Sequence, residues 1–327
     1  MPKAVRFHKV GGPEVLQIEE VQVRHPEAGE VAIDVAAVGL NRAESMYYRG
    51  NYSQKPEFPS GLGYEVVGTV ISVGEGVDSS LIGKRIGTIP IYSMNRYPVL
   101  GERAVVPAEA VAEFPPSLSS VEGAAVWMQY PTAYGALVEF AKVGPGDTVL
   151  LTAASSSVGL AAIQVVKAQG AISIATTRTS SKRQLLLDFG ADHVIATQEE
   201  DLPARIREIT GGKLARVAFD AIGGSYIDTL AQAVAPEGTI YLYGLLSEEA
   251  NHYPVSAFFK AISLTGYMMH QMKTPERFGP MKGYVYEHLA NGSFKPHVDR
   301  TFPFEQTADA YRYLESNQQV GKVVITL

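Results

Sequence analysis

The amino-acid sequence predicts an α/β protein, a doubly wound parallel sheet joined to a smaller β-barrel module. Three observations carry this. The first third of the chain is a series of short apolar runs broken by glycine and proline; the middle alternates short apolar runs with helical stretches; the chain ends on one isolated strand pattern. At 327 residues there is length for two domains, each burying a core of its own.

Taken in order, residues 1–120 form the first module. Val31 to Val38 reads VAIDVAAV and Val66 to Val73 reads VVGTVISV, with Gly11, Gly12, Pro26, Gly29 and Gly74 among the turn residues that punctuate such runs. Residues 121–265 form the second. Thr148 to Thr152 (TVLLT), Ile172 to Thr176 (ISIAT), His193 to Ala196 (HVIA), Val217 to Ala221 (VAFDA) and Thr239 to Tyr243 (TIYLY) read as buried strands, and the helical stretches between them make βαβ units. Residues 266–327 return to the first module. They hold a Pro-interrupted aromatic segment, a helix around Gln306 to Leu314 and the strand KVVIT from Lys322 to Thr326, which needs an existing sheet to pair with.

Hydrophobic residues make up 46% of the chain and charged residues 19%, as in ordinary soluble globular proteins. A net charge of −6 without a long basic run argues against nucleic-acid or anionic-membrane partners, whose phosphates the average field repels. Cysteine is absent, which excludes disulfides and thiolate metal sites. No stretch approaches the roughly 18 apolar residues of a membrane span, and MPKAVRFHKVGGPEV lacks the apolar core of a signal peptide, so a cytoplasmic protein is expected.

The strand at Thr148 to Thr152 runs directly into AASSSVGLAAIQVVKAQG, from Ala153 to Gly170. A strand, a turn of tiny residues and a helix is the setting in which a dinucleotide is bound. Ala153, Ser156 and Gly159 let the backbone approach a pyrophosphate, and the amides near Ser156, Ser157 and Val158 are the expected donors at the positive end of the helix dipole. The next strand ends at ATTRTSSKR, where a cofactor without a 2′-phosphate would meet an acidic residue. Thr176, Thr177, Arg178 and Lys182 stand there instead, hydroxyls and cations suited to a phosphomonoester. NADPH is therefore expected over NADH.

Four stretches, VGLNRAESMYYRGNY (Val38 to Tyr52), FPSGLGYEVVGTVISVGEGV (Phe58 to Val77), MQYPTAYGAL (Met128 to Leu137) and VLLTAASSSVG (Val149 to Gly159), with GAD at Gly190 to Asp192 and the closing GKVVITL, resemble in order the medium-chain dehydrogenases/reductases of the zinc-free quinone oxidoreductase branch. The resemblance implies a GroES-like catalytic domain from the two chain ends, a Rossmann domain between them, a cofactor cleft at their junction, and a homodimer formed through a Rossmann edge strand. It also implies that Asn41, Thr132 and Tyr243, Gly244 and Leu245 lie along the nicotinamide half of the cofactor, and that Lys182 holds the 2′-phosphate. The family's phosphate turn is AxxGxxG; here Ser156 replaces the central glycine.

Zinc-dependent relatives carry an early Cys, a His in a GHE motif and a third acid or Cys. In this chain Asn41 or its neighbour stands at the first position and Tyr64 at the histidine, so a zinc site of that type is not expected. Without a Lewis acid, the negative charge that hydride transfer leaves on an acceptor oxygen must be met by hydrogen-bond donors. That favours quinones and other conjugated carbonyls, whose charge delocalises. The resemblance implies an active-site tyrosine at Tyr52, with Asn41 beside it to orient nicotinamide or substrate; Tyr47, Tyr48, Tyr64 and Tyr130 are further candidates. Glu65 is expected to pair with a cation such as Arg42 or to stabilise the fold. The expected activity is NADPH-dependent reduction of a small quinone or enone. An alkenal, enone or enoyl-thioester reductase is the runner-up, and an NADPH-binding sensor or structural protein with negligible turnover is the reading of another class.

Overall fold

In the computed structural model, which describes residues 1–327, the VAIDVAAV run lies within a ten-residue strand, Glu30–Gly39, whose residues are nearly all buried. β-branched residues filling both faces make it the centre of a seven-stranded sheet. The sheet runs in the order Val298–Pro303, Lys322–Thr326, Glu30–Gly39, Glu65–Val73, Arg85–Thr88 and Val111–Ala112, with Arg103–Pro107 also pairing with Glu30–Gly39. The closing KVVIT strand thus finds its partner in the N-terminal sheet, antiparallel to Glu30–Gly39. A three-stranded sheet of Gln17–Glu20, Lys3–Phe7 and Ser60–Gly61 completes the unit formed by Met1–Met128 and Lys295–Leu327.

Register decides which side chains meet. Gly39 pairs with Glu65 on one side and with Val324 on the other, so Lys322, two residues before Val324, arrives beside Asn41 and over Gly39. A Cβ at Gly39 would stand 1.9 Å from the Ala124 carbonyl oxygen and 2.6 Å from Lys322 Cε. Only glycine fits there. Around this crossing point pack Phe7, Ile33, Val38, Tyr47, Val66, Tyr311 and Ile325.

The second compact unit, Gln129–Phe294, holds a six-stranded parallel sheet in the order His193–Ala196, Ile172–Thr177, Thr148–Leu151, Ala215–Asp220, Val234–Leu242 and Ser263–Gly266. Numbered by sequence the order is 3-2-1-4-5-6, that of a Rossmann sheet. Five of these strands are the five read from the apolar runs. The sixth, SLTG, is only four residues long and mostly exposed, so it carries little apolar signal. Ile174, Ile195, Ile206, Ala218, Leu230 and Ile240 fill the core between the sheet and its helices.

The sequence reading ended this module at residue 265, whereas the compact unit continues to Phe294. The physical reason is the helix Pro275–Ala290, whose buried Met281, Val285 and Leu289 give it an apolar face, and which packs on the helix Gln129–Tyr134. No helix is long and apolar enough to cross a membrane.

Gly39→Ala is expected to destabilise the protein by about 3 kcal/mol, because the added methyl meets backbone that cannot rotate away. Urea denaturation checks this; an unchanged midpoint would show that the strand crossing tolerates a side chain.

Candidate functional site

In the first unit, Asn41 stands at the N-terminus of the helix Arg42–Tyr48, in extended conformation. Every polar atom of its side chain is engaged. Nδ2 donates to the Gly39 carbonyl at 3.0 Å and to Glu44 Oε1 at 3.3 Å, while Oδ1 accepts from Lys322 Nζ at 2.7 Å. The same ammonium donates to Glu65 Oε2 at 2.6 Å, and both side chains of that ion pair are 0% exposed. Glu65 Oε1 accepts the amides of Val126 and Met128 at 3.0 and 2.9 Å. Glu44 is equally buried and accepts from the amides of Asn41 and Tyr64 and from the Tyr311 hydroxyl. Burial pushes the Glu44 carboxyl up, against the pull of these donors and of the Lys322 charge.

The partner of Glu65 is thus Lys322 and not Arg42, which instead donates to the Leu314 carbonyl and to Asn317. Strand register delivers Lys322 to Glu65, while Arg42 is held by the helix Thr307–Glu315 and the residues just after it. Lys322, Glu44 and Tyr311 were not singled out as site residues by the sequence reading. The one available signal was a lysine opening an otherwise apolar strand.

The tyrosines separate into two kinds. Tyr47 is 0% exposed, its ring edge-on to Phe7 at 5.7 Å and its hydroxyl bonded to Ser60 at 2.7 Å and to Asn95, an arrangement of the core. Tyr48 donates to Glu315 at 2.6 Å and is equally enclosed. Tyr52 is half-buried and stands edge-on to Tyr64, ring centroids 6.4 Å apart. Burial raises the Tyr52 phenol, and the neighbouring Tyr64 side chain lowers it. Asn41 and Tyr52 do not bond each other: the first belongs to the Lys322 network, the second to Tyr64.

In the second unit, the strand Thr148–Leu151 leads into a turn where Ala153 takes a φ of +46°. Ser156, at the family's glycine position, has φ −71° and ψ 164°, an ordinary extended conformation, and caps the helix Ser157–Ala168 by accepting from the Gly159 amide at 3.1 Å. A Cβ on Gly159 would lie 2.5 Å from Ala154 Cα, so this glycine lets the helix approach the turn. Capping of Gly159 leaves the first-turn amides of Ser157 and Val158 for an anion. Lys182 Nζ donates to Ser155 Oγ at 3.3 Å, which draws the end of the second strand onto this turn. Thr177 ends that strand, and Arg178 follows it, exposed.

Where the first, fourth and fifth strands of this sheet in chain order end, Asp220 is fully buried and accepts from Thr152 Oγ1 at 2.5 Å and from the amides of Ile222 and Gly223. Tyr243 stacks on Phe219 at 3.9 Å, and its hydroxyl is enclosed without a hydrogen-bond partner. Such an orphaned donor at the strand ends of a parallel sheet fits a polar ligand that would complete it. Gly244 and the 43%-exposed Leu245 follow, and Thr132 is buried in the helix Gln129–Tyr134. Asp220 was also missed by sequence reasoning, although VAFDA places a lone acid at the end of a buried strand.

Lys322→Met is expected to cost about 3–5 kcal/mol, since it leaves the Glu65 carboxylate buried and unpaired. The double variant Lys322→Met, Glu65→Gln should recover part of that loss. Chemical denaturation of both variants decides, and a K322M protein as stable as the wild type would remove the ion pair from its structural role.

Residues 27–143 match the alcohol dehydrogenase GroES-like domain, and residues 157–281 match the family described as zinc-binding dehydrogenase. The residues do not fit the metal that this description implies. The chain has no cysteine, Asn41 Oδ1 and Glu65 Oε2 are taken by an ammonium and Glu65 Oε1 by two amides, and no three His, Asp or Glu residues cluster to hold an ion. Quinone oxidoreductase 1 of Escherichia coli (strain K12) is 30% identical over 334 residues, covering 99% of each chain. The 2-haloacrylate reductase of a Burkholderia species is 29% identical over 342 residues, again covering 99% of each. The crystal structure of Escherichia coli quinone oxidoreductase complexed with NADPH superposes with a TM-score of 0.91 at 30% identity, covering 99% of this chain and 100% of that one. With a GroES-like first unit, a Rossmann second unit and full-length kinship of this kind, the chain belongs to the medium-chain dehydrogenase/reductase superfamily as a quinone oxidoreductase-like enzyme.

Proposed function

We propose that the protein is an NADPH-dependent, zinc-independent reductase of quinones and related conjugated carbonyls. The observation that carries the cofactor choice is the second-strand turn, where Thr177, Arg178 and Lys182 stand and Lys182 reaches the phosphate turn through Ser155. A carboxylate that does approach this turn, Glu199, comes from beyond the third strand and is occupied by the amide and hydroxyl of Ser180. The amides of Ser157 and Val158 would hold the pyrophosphate, and Arg178 and Lys182 the 2′-phosphate. Thr132, Tyr243, Gly244 and Leu245 would line the rest of the cofactor, the Tyr243 hydroxyl gaining the partner it lacks.

When bound, NADPH supplies the hydride. The charge that the hydride creates on the acceptor oxygen would be met by neutral hydrogen-bond donors. Tyr52 would offer a neutral O–H to that oxygen, and the Lys322 network holds Asn41 in one orientation. Tyr47 is a further candidate donor, its hydroxyl already bonded to Ser60 and Asn95. A conjugated carbon–carbon double bond is the second reading of the acceptor, favoured by the kinship with a 2-haloacrylate reductase. A homodimer is also part of the proposal. The edge strand Ser263–Gly266 leaves one side open to pairing with a second copy, and Val255, Phe258 and Phe259 beside it are 72%, 69% and 81% exposed.

Oxidation of NADPH followed at its absorbance maximum with quinones, enones, enals and enoyl thioesters tests the reading. Tight NADPH binding without consumption by any acceptor would leave a sensor and sink the enzyme. Lys182→Ala and Arg178→Ala should each weaken NADPH about 10- to 100-fold and NADH less than twofold, the range of one hydrogen bond to a charged group. Equal losses for the two cofactors would refute the phosphate assignment. Sedimentation should give twice the chain mass, and a chain bearing Phe258→Glu and Phe259→Glu should run as a monomer.

A further inference from the structure

We infer that Glu199 is a positioning residue for cofactor choice: it favours NADPH over NADH by holding the turn that carries Lys182, although its own charge opposes a phosphate. The inference rests on the proposed assignment of Lys182 to the 2′-phosphate and names what sets that lysine in place.

Four consecutive residues beyond the third strand of the parallel sheet, Thr197 to Glu200, hold the segment that follows the second. The amides of Thr197 and Gln198 donate to the carbonyls of Thr177 and Arg178, both at 2.9 Å, and so carry the pairing of the two strands past their ends. Glu199 Oε1 then accepts the Ser180 amide at 2.8 Å and the Ser180 hydroxyl at 3.3 Å. Glu200 Oε1 accepts from Arg183 Nη2 at 2.5 Å and from the Ala196 amide at 2.9 Å, while Arg183 Nη1 donates to the Val194 carbonyl at 2.7 Å.

Lys182 lies between these two clasps. Ser180 opens the 3-10 turn Ser180–Lys182, and Arg183 opens the helix Arg183–Asp188, so the turn is fixed at its first residue and just beyond its last. It has no cap from its own segment. Thr179, which precedes it, makes no side-chain capping bond, and Glu199 supplies across the sheet the oxygen that an N-cap residue ordinarily supplies. From this turn Lys182 Nζ reaches Ser155 Oγ at 3.3 Å, beside the phosphate turn. Arg183, next in sequence, is committed to Val194 and Glu200 and serves the clasp instead.

Glu199 has two effects of opposite sign. As an acceptor it orders the turn, and a hydrogen bond to a charged group contributes more than one to a neutral group. As an anion it repels a phosphomonoester. An acid that binds the ribose of a cofactor without the 2′-phosphate belongs to the end of the second strand, whereas Glu199 comes from beyond the third and bonds both donors of Ser180. Ordering is therefore the effect that its geometry serves.

Fluorescence titration of Glu199→Ala and Glu199→Gln with NADPH and with NADH separates the two effects. Alanine removes acceptor and charge together; glutamine removes the charge and keeps an oxygen for Ser180. Glu199 is exposed, so both variants are expected to fold, and circular dichroism against temperature checks that they do. Glu199→Ala should weaken NADPH about five- to tenfold and NADH less than twofold, and Glu199→Gln should bind NADPH at least as tightly as the wild type. In a Lys182→Ala background Glu199→Ala should weaken NADPH less than about twofold further, because Glu199 acts through Lys182. Unchanged NADPH affinity in Glu199→Ala, a loss shared equally by NADH, or a Glu199→Gln loss as large as that of alanine would overturn the inference. A loss confined to NADH would overturn it as well and make Glu199 a ribose ligand. Lys182→Ala tells this failure from that of the reading beneath it. If that variant loses NADPH selectively and Glu199→Ala does not, the inference alone falls; if it loses both cofactors equally, the phosphate assignment falls and takes the inference with it.

Discussion

The first unit turns on the buried pair of Lys322 and Glu65. Removing two charges from water costs several kcal/mol for each, and only close geometry with every remaining valence satisfied offsets it. Both conditions are met: the ammonium lies 2.6 Å from one Glu65 oxygen, and two backbone amides hold the other. Each member of the pair therefore ties down something at a distance in sequence. Lys322 fixes the last strand against Glu65–Val73 and reaches Asn41; Glu65 anchors the stretch from Val126 to Met128, where the first unit gives way to Gln129. Gly39 is bare because the lysine stem and the Ala124 carbonyl leave no room for a methyl.

This explains what could and could not be read from the sequence. Buried strands announce themselves through apolar runs, so TVLLT, HVIA and KVVIT were legible almost to the residue. The helix after the phosphate turn was legible too, since small residues between a strand and a helix have few other uses. SLTG was not, because a short edge strand buries little. The partner of Glu65 was hidden for a different reason. It depends on the pairing register of three strands, the last of which brings Lys322 from 257 residues beyond Glu65, and register is a tertiary fact. Arg42 was closer in sequence and farther in function.

The Rossmann unit solves its turn without the glycine that the family places there. At an extended φ the position has no need of glycine, and Ser156 adds an oxygen that satisfies the Gly159 amide. The positive φ falls instead on Ala153, earlier in the turn. Gly159 is the position where conformational permissiveness gives way to space, since its missing Cβ is what allows contact with Ala154. A serine in the middle of the fingerprint is thus compatible with the same helix placement, provided that the last glycine stays.

The two units present opposite electrostatic settings. At the phosphate turn the groups on offer are amides and cations, suited to an anion. Around Asn41 and Tyr52 the one ammonium is already neutralised by Glu65, and Glu44 is a further buried acid whose carboxyl burial pushes toward the protonated form. Little net positive charge is then left to stabilise an alkoxide. What remains are neutral donors, chiefly phenols, which stabilise charge that is already spread over several atoms far better than charge localised on one oxygen. A simple ketone would place a localised alkoxide there. A quinone or an enone would not, which is the physical argument behind the proposed acceptor class.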